Sequence, residues 1–311
     1  RYNTSHLFVR QTFGLGGERE KVESDLGQLA GERDVSRVTV QAGKFAVQDV
    51  FDNNAYANDP RVDFLNWSLW SAGAFDYPAD SVGFSWGVTA EFNQPDWAVR
   101  GGYFLVANQP DNNVYDLAIT SRNGLVGEAE VRYRPWDRRG TARLGAWATT
   151  AFAGSYADAV ALVPVSPGLN ANDTIALTRT SRTKYGFYLS VDQELTDDIG
   201  AFARLSWNDG RSEILAFTDI DSSLSGGLSI KGSGWGRPDD TVGIGAAVNG
   251  ISSSHASFLA NGGLGLTVGD GALSYGAEFV AETYYSLKLA DGLFVTADYQ
   301  FIGNPAYNAV R

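Results

Sequence analysis

The sequence predicts an all-β protein: a transmembrane antiparallel β-barrel around a wet lumen. Three observations predict it. The first is strict period-two alternation. From Val82 to Phe92, Val82, Phe84, Trp86, Val88, Ala90 and Phe92 are apolar while Gly83, Ser85, Gly87, Thr89 and Glu91 are small or polar, the mark of a strand whose faces meet two different solvents. The second is that the polar faces of such stretches repeatedly carry Arg, Lys, Asp and Glu, charges that a dry core tolerates only when paired. The third is length. Most alternating stretches run about ten residues, close to a tilted membrane strand and well beyond the average soluble one.

Alternation and turn signals place twelve strands near residues 4–13, 35–45, 82–93, 96–107, 126–135, 140–151, 182–195, 198–209, 222–231, 240–251, 276–289 and 293–301. Their connections also alternate. Asn93-Gln94-Pro95-Asp96, Thr196-Asp197-Asp198 and Ala290-Asp291-Gly292 are tight turns, and Pro135 to Gly140 is slightly longer. Between these hairpins lie long segments at 46–81, 108–125, 152–181, 210–221 and 252–275. Short turns at one rim and long loops at the other describe an outer-membrane barrel. Residues 14–34 fit this rhythm poorly, being long and charged, and are expected to be partly helical.

The outward faces follow from the same period. They include Trp97, Val99, Gly101, Tyr103 and Leu105; Tyr185, Phe187, Leu189 and Val191; Ile199, Ala201, Ala203, Leu205 and Trp207; and Phe279, Ala281, Thr283, Tyr285 and Leu287. Tyr and Trp recur toward strand ends, where interfacial girdles belong. The inward faces carry Glu91, Arg100, Glu128, Glu130, Arg132, Arg134, Arg143, Lys184, Asp192, Glu194, Arg204, Lys231, Glu278, Glu282, Lys288 and Asp298. A soluble β-sandwich burying the same apolar faces is the alternative, but it seldom needs so many ten-residue strands.

Composition narrows the classes. The chain has 311 residues, a net charge of -12 and only 19% charged residues, the last below the roughly 25% of soluble domains. No basic excess is available to neutralise phosphates, so no nucleic-acid partner is expected. Cysteine is absent, and the two histidines, His6 and His255, are far apart in sequence. Disulfides, thiolate chemistry, a His-based metal site and a Ser-His-Asp triad are therefore not expected, nor is any cofactor. Mean hydropathy is -0.17, and no segment approaches the ~18 apolar residues of a helical span. The sequence starts at Arg1 without a Met or a signal peptide and stops at Arg311 in a loop-like stretch, so it is expected to be a processed or incomplete version of a longer chain. Asn3-Thr4-Ser5 matches a glycosylation sequon, which is read as noise.

The stretch VFDNNAYANDPRVDFLNWSLWSAGAFDYPAD (50–80) closely resembles the carbohydrate-selective porin family of Gram-negative outer membranes, the OprB type. The resemblance continues in NQPDWAVRGGYFLV (93–106), LTDDIGAFARLSWNDGRSEILAFTDID (195–221), SLSGGLSIKGSGWGRPDDTVGIGAAVNGIS (223–252) and LFVTADYQFIGNPAYNAVR (293–311), covering essentially the whole chain. It implies a sixteen-stranded barrel with a narrow constriction that passes sugars by diffusion. Family members begin with a signal peptide and roughly three further strands before the point matching Arg1, and carry one more after the point matching Arg311. On this basis residues 1–311 form a single barrel domain of which about twelve strands are represented. The implied partners are mono- or oligosaccharides, outer-membrane lipid and lipopolysaccharide. Trimers are common among porins, so a homotrimer is among the expected assemblies, although the outward faces carry no distinctive interface signal.

Residues 46–81 are long, aromatic and charged and do not alternate, which points to an inward-folded loop that narrows the pore. Asp59-Pro60-Arg61 is expected to open a short helix, with Asp as cap and Pro in the first turn. Sugars need aromatic rings for their C–H faces and carboxylates and guanidinium groups for their hydroxyls. Asp59, Arg61, Asp63, Trp67, Trp70, Asp76 and Tyr77 are the expected constriction residues; Phe64, Trp67 and Trp70 would equally serve to pin the loop to the wall. Arg100, Arg132, Arg143 and Arg204 are candidates for a basic ladder opposite an acidic wall, with ordinary lumen solvation as the plainer role. Two other functions compete. A glycosidase would use Glu128 and Glu130, two residues apart on one strand face and roughly 7 Å apart by strand rise, though such acid pairs are common on any polar face. A general or largely structural barrel would have a pore too occluded for sugars.

Overall fold

The computed structural model describes residues 4–24, 27–216 and 218–310, so Asn3 of the sequon lies outside the described residues. Twelve strands form one antiparallel sheet. In chain order they are β1 (Leu7–Gly14), β4 (Arg37–Phe45), β5 (Ser85–Asn93), β6 (Trp97–Phe104), β7 (Asn123–Tyr133), β8 (Gly140–Ala153), β9 (Thr180–Glu194), β10 (Ile199–Asn208), β11 (Ser222–Gly232), β12 (Arg237–Gly250), β13 (Glu278–Ala290) and β14 (Leu293–Gly303). They pair in that order, and among the described residues β1 and β14 each have one partner. Each of the twelve stretches expected from alternation is a strand of this sheet. Two more strands, β2 (Arg19–Val22) and β3 (Gly31–Asp34), form a separate hairpin.

That hairpin corrects the helical expectation for 14–34. Its register sets Glu20 opposite Arg33 and Lys21 opposite Glu32, and Arg33 donates to Glu20 at 2.7 Å. Cross-strand charge pairs of this kind support a hairpin that buries little apolar surface. Arg37 at the start of β4 also donates to Glu20, at 2.9 Å, tying the hairpin to the short-turn rim.

The two sheet faces differ as the alternation demands. Val88, Val99, Leu125, Leu144, Leu189, Leu205, Leu224 and Ile244 are all exposed, an aliphatic band suited to lipid rather than water. Trp86, Tyr185 and Trp207 flank it toward the long loops; Trp97, Trp136 and Trp235 flank it toward the short turns. The opposite face carries the charges, and register turns them into a ladder. Arg100 stands opposite both Glu91 and Glu128, and Glu130 opposite Arg143.

The packed core lies between this inner face and the 46–84 segment. Phe45, Val47, Phe51, Phe75, Phe104, Trp147 and Tyr188 form one cluster, and Phe64, Leu69, Phe202, Val280 and Tyr284 another. The inner face of β12 is nearly bare here. A Cβ on Gly245 would lie 2.9 Å from the Phe64 ring, so only glycine lets the loop seat at this depth. The loop's helix is α1 (Trp67–Trp70), capped by Asn66, whose side chain accepts from Ser68 N at 3.1 Å. Residues 59–63 instead make a single turn, in which Asp63 N donates to Asp59 O at 2.8 Å. The expected helix start is therefore displaced: the Asp63 carboxylate accepts from the backbone of Asn58 and Asp59, closing the turn on itself. Three further helices lie in the long loops: α2 (Tyr156–Leu162), α3 (Ala171–Thr174) and α4 (Ser253–Ala260).

Candidate functional site

The 46–84 segment is fixed to the wall by charged and polar contacts at several points. Asp52 accepts from Arg204 Nε at 3.0 Å, and Arg204 also donates to the carbonyls of Leu69 (2.9 Å) and Ala57 (2.7 Å). Glu128 accepts from Asp52 N at 2.8 Å. Glu282 accepts from Leu65 N at 2.5 Å and Asn66 N at 2.9 Å. Lys184 donates to Asp76 at 2.9 Å, and Asp76 also takes the N–H groups of Leu215 (2.8 Å) and Ala216 (3.0 Å). Lys44 donates to Asp80 at 2.9 Å. Burial alone would raise the Asp80 carboxyl, but Lys44, the backbone of Phe84 and the Tyr115 hydroxyl hold it below its usual value.

These anchors separate the expected constriction residues into two groups. Asp76 and Tyr77 are buried, at 1% and 3% exposure, and face the core. Burial keeps the Tyr77 hydroxyl well above its usual pKa, and it donates to Gln48 Oε1 at 3.1 Å. Asp63 is spent on the 58–63 turn, and burial pushes its carboxyl up. Trp67 donates to Gly73 O at 3.0 Å and meets Trp70 edge-to-face at 4.9 Å. Asp59, Arg61 and Trp70 instead border open space. Arg61 Nε donates to Asp59 Oδ1 at 2.9 Å, and that contact holds the Asp59 carboxyl below its usual value.

Two cavities run along the loop's free edge. One, of about 350 Å³, is bordered by His6, Gln48, Asn58, Asp59, Arg61 and Trp70. The other, of about 410 Å³, reaches toward the short-turn rim past Arg37, Glu91, Asn93, Arg100 and Arg132. Both are bordered by Arg10, Asp49 and Asn53, which mark where they meet. These two cavities follow β1 and β4–β7, while the loop packs on the inner face of β7–β13.

The basic residues are arranged differently from a ladder opposite an acidic wall. Arg100 bonds Glu91 at 2.8 Å, Glu130 at 3.0 Å and Glu128; Arg132 bonds Glu130 at 2.6 Å; Arg143 bonds Glu130 at 3.0 Å and Asp192 at 2.6 Å. Acids and bases therefore interleave on one wall because the register sets them opposite each other. Arg204 is 2% exposed and belongs to the loop anchor, and Lys231 lies at the short-turn end of β11, exposed. The Glu128–Glu130 pair has no free carboxylate. Glu128 is held by Arg100, by the Tyr188 hydroxyl at 2.5 Å and by Asp52 N, and Glu130 by three guanidinium groups.

His6, Arg10, Gln48, Asp49 and Asn53 were not among the expected site residues. Arg10 carried a usable signal: it shares the inward parity of Phe8 and Thr12 on β1. It donates to Gln41 at 2.7 Å across to β4. Asp49 carried none. It sits in a short 3-10 turn, accepting from Ala46 N at 2.9 Å with His6 Nε2 at 3.0 Å.

Comparisons agree with this architecture. Comparison with curated proteins gives no match. Among solved structures, the high-pH structure of Pseudomonas putida OprB superposes with a TM-score of 0.67 at 19% identity, over 88% of this chain and 66% of that one. The low-pH structure of the same protein matches with a TM-score of 0.47 at 16% identity, over 89% of this chain and 64% of that one. The chain thus spans about two thirds of the length of these structures. The family model described as carbohydrate-selective porin, OprB family, matches residues 3–311. A large antiparallel sheet, a ladder of charges on its inner face and a family match over nearly every residue lead to one conclusion: this chain belongs to the OprB family of carbohydrate-selective porins.

Proposed function

We propose that the protein is a bacterial outer-membrane channel through which small sugars diffuse passively into the periplasm. The observation that carries this reading is the pair of cavities meeting at Arg10, Asp49 and Asn53, bordered by Trp70, Asp59 and Arg61. The first cavity offers an indole, carboxylates, guanidinium groups and amides. That is the mixture a sugar needs, since C–H faces favour aromatic rings and vicinal hydroxyls favour charged hydrogen-bond partners. Contacts of this kind orient a solute yet release it. Residues 46–81 act as the constriction loop of a single barrel domain. Its anchored side, with Asp76, Tyr77, Asp63 and Trp67, supports the free edge. Glu91, Arg100, Glu128, Glu130, Arg132 and Arg143 keep the wall polar. A sixteen-stranded barrel, lipid and lipopolysaccharide around the aliphatic band, and a homotrimer complete this reading.

Liposome swelling and planar-bilayer conductance test it. Glucose should swell proteoliposomes faster than a neutral non-sugar of similar size, and Arg61→Ala with Trp70→Ala should erase the difference. Equal rates for the two solutes in the unaltered protein would refute sugar selectivity. High incorporation with negligible conductance would favour a largely structural barrel.

A further inference from the structure

A third hollow, of about 470 Å³, lies under the inward loop at the short-turn end of β8–β11 and shares no bordering residue with the two cavities above. Its roof is Tyr56. The ring packs closely on the bare backbone of β10: a Cβ on Gly200 would stand 2.1 Å from two of its carbons. The loop behind the ring is fixed. Tyr56 N donates to Asn54 Oδ1 at 3.0 Å, while Asn54 Nδ2 reaches Ser190 Oγ at 3.2 Å and Val191 O at 3.3 Å. The ring is thus held in place, and its hydroxyl has no hydrogen-bond partner among the described residues.

Charged and hydroxyl groups converge around it. Asp192, Glu194, Arg139, Lys231, Thr141 and Ser229 border the hollow. Lys231 is exposed and makes one long contact, 3.4 Å to Asp197 O. Asp192 gives one oxygen to Arg143, and Glu194 accepts from Arg138 at 3.3 Å. Donors and acceptors with spare capacity therefore surround a seated aromatic face. We propose that this hollow is a second sugar subsite, at the short-turn mouth, which receives a neutral mono- or disaccharide after it has passed the constriction. The inference rests on the reading of the protein as a sugar channel. Neutrality follows from the charge balance: Asp192, Glu194, Asp197 and Asp198 face Arg139 and Lys231 on the rim and Arg143 and Arg138 behind it, which pair with Asp192, Glu194 and Asp197, so no net charge draws in an ionised sugar. The ring would take a C–H face, Lys231 and Arg139 would donate to hydroxyls, and the carboxylates would accept from them.

One-sided addition of maltose to single channels in planar bilayers tests this. Block by sugar from the short-turn side should be stronger than block by glucuronate. Tyr56→Ala and Lys231→Gln should each weaken maltose block from that side by about fivefold, as loss of a stacked ring or a charged donor predicts, and leave block from the long-loop side unchanged. Tyr56→Phe should retain it. If Tyr56→Ala fails to insert, Lys231→Gln decides alone. Unchanged block from the short-turn side, equal weakening from both sides, or stronger block by glucuronate would overturn the subsite. Absence of maltose block from either side of the unaltered protein would overturn the sugar-channel reading itself.

Discussion

Asp219 and Asp221 lie two residues apart in one buried loop cluster, yet their protons respond in opposite senses. Burial disfavours the charge on both. At Asp221 burial is the largest single influence, but His255, whose Nδ1 lies 3.0 Å away, the Lys184 charge and the Ser252 N–H together outweigh it and hold the carboxyl below its usual value. At Asp219 burial wins over the hydrogen bonds from Thr267, and the carboxyl is pushed up. By linkage, the Asp221 contribution is complete above its unfolded pKa and is lost as pH falls through the lowered folded value. The Asp219 contribution has the other sign: it is present below the unfolded pKa and lost as pH rises through the raised folded value. At pH 7, Asp221→Asn should therefore loosen the 251–277 loop by about 1–3 kcal/mol, seen as faster limited proteolysis there. Asp219→Asn should leave cleavage no faster. Faster cleavage from both substitutions would contradict this assignment.

In the proposed channel, the 46–84 segment is the element that decides how much of the lumen is open. Arg204 is the anchor to test, because it holds the Asp52 carboxylate and three loop carbonyls at once. Removing one partner of a buried pair costs about 3–5 kcal/mol, so Arg204→Ala should lower the heat stability of the folded band on gels and raise single-channel conductance. Conductance and stability both unchanged would mean the loop does not depend on this anchor. How far such roles could be read in advance varied with the kind of signal. Strands were legible because their period is local: the alternation from Val82 to Phe92 declares the two faces of β5, although the strand itself begins only at Ser85. The β2–β3 hairpin was not, because its strands are held by charge pairs such as Arg33–Glu20 rather than by apolar alternation. Asp76 and Arg61 look alike as loop charges. Only the fold shows that Asp76 meets Lys184, 108 residues away, while Arg61 meets its neighbour Asp59. Roles set by distant partners leave no mark in a local pattern.

Over the whole molecule, apolar and charged side chains have exchanged the places they hold in a soluble protein. Leu144 and Arg143 are adjacent on β8, and the leucine is the exposed one, at 58% against 9%. Replacing Leu144 with Arg should cost about 2–4 kcal/mol in a bilayer, the range for a cation near the midplane of a barrel's lipid face. Equilibrium unfolding from lipid vesicles measures this. A cost near zero would mean this face does not meet hydrocarbon. Extraction into detergent with heat-modifiable gel mobility is the corresponding expectation for the assembled protein.

The loop that fills β7–β13 also has an electrical character. Between residues 46 and 84 it carries six aspartates and one arginine, a formal charge of −5, and Arg204, Lys184 and Lys44 of the wall hold three of those aspartates in place. A tethered polyanion inside a membrane feels any potential applied across it. Each elementary charge moved through the full field gains about 2.3 kcal/mol per 100 mV, comparable with an anchoring contact. The channel should therefore respond unequally to the two polarities, closing under the sign that drives the loop's carboxylates away from their wall cations.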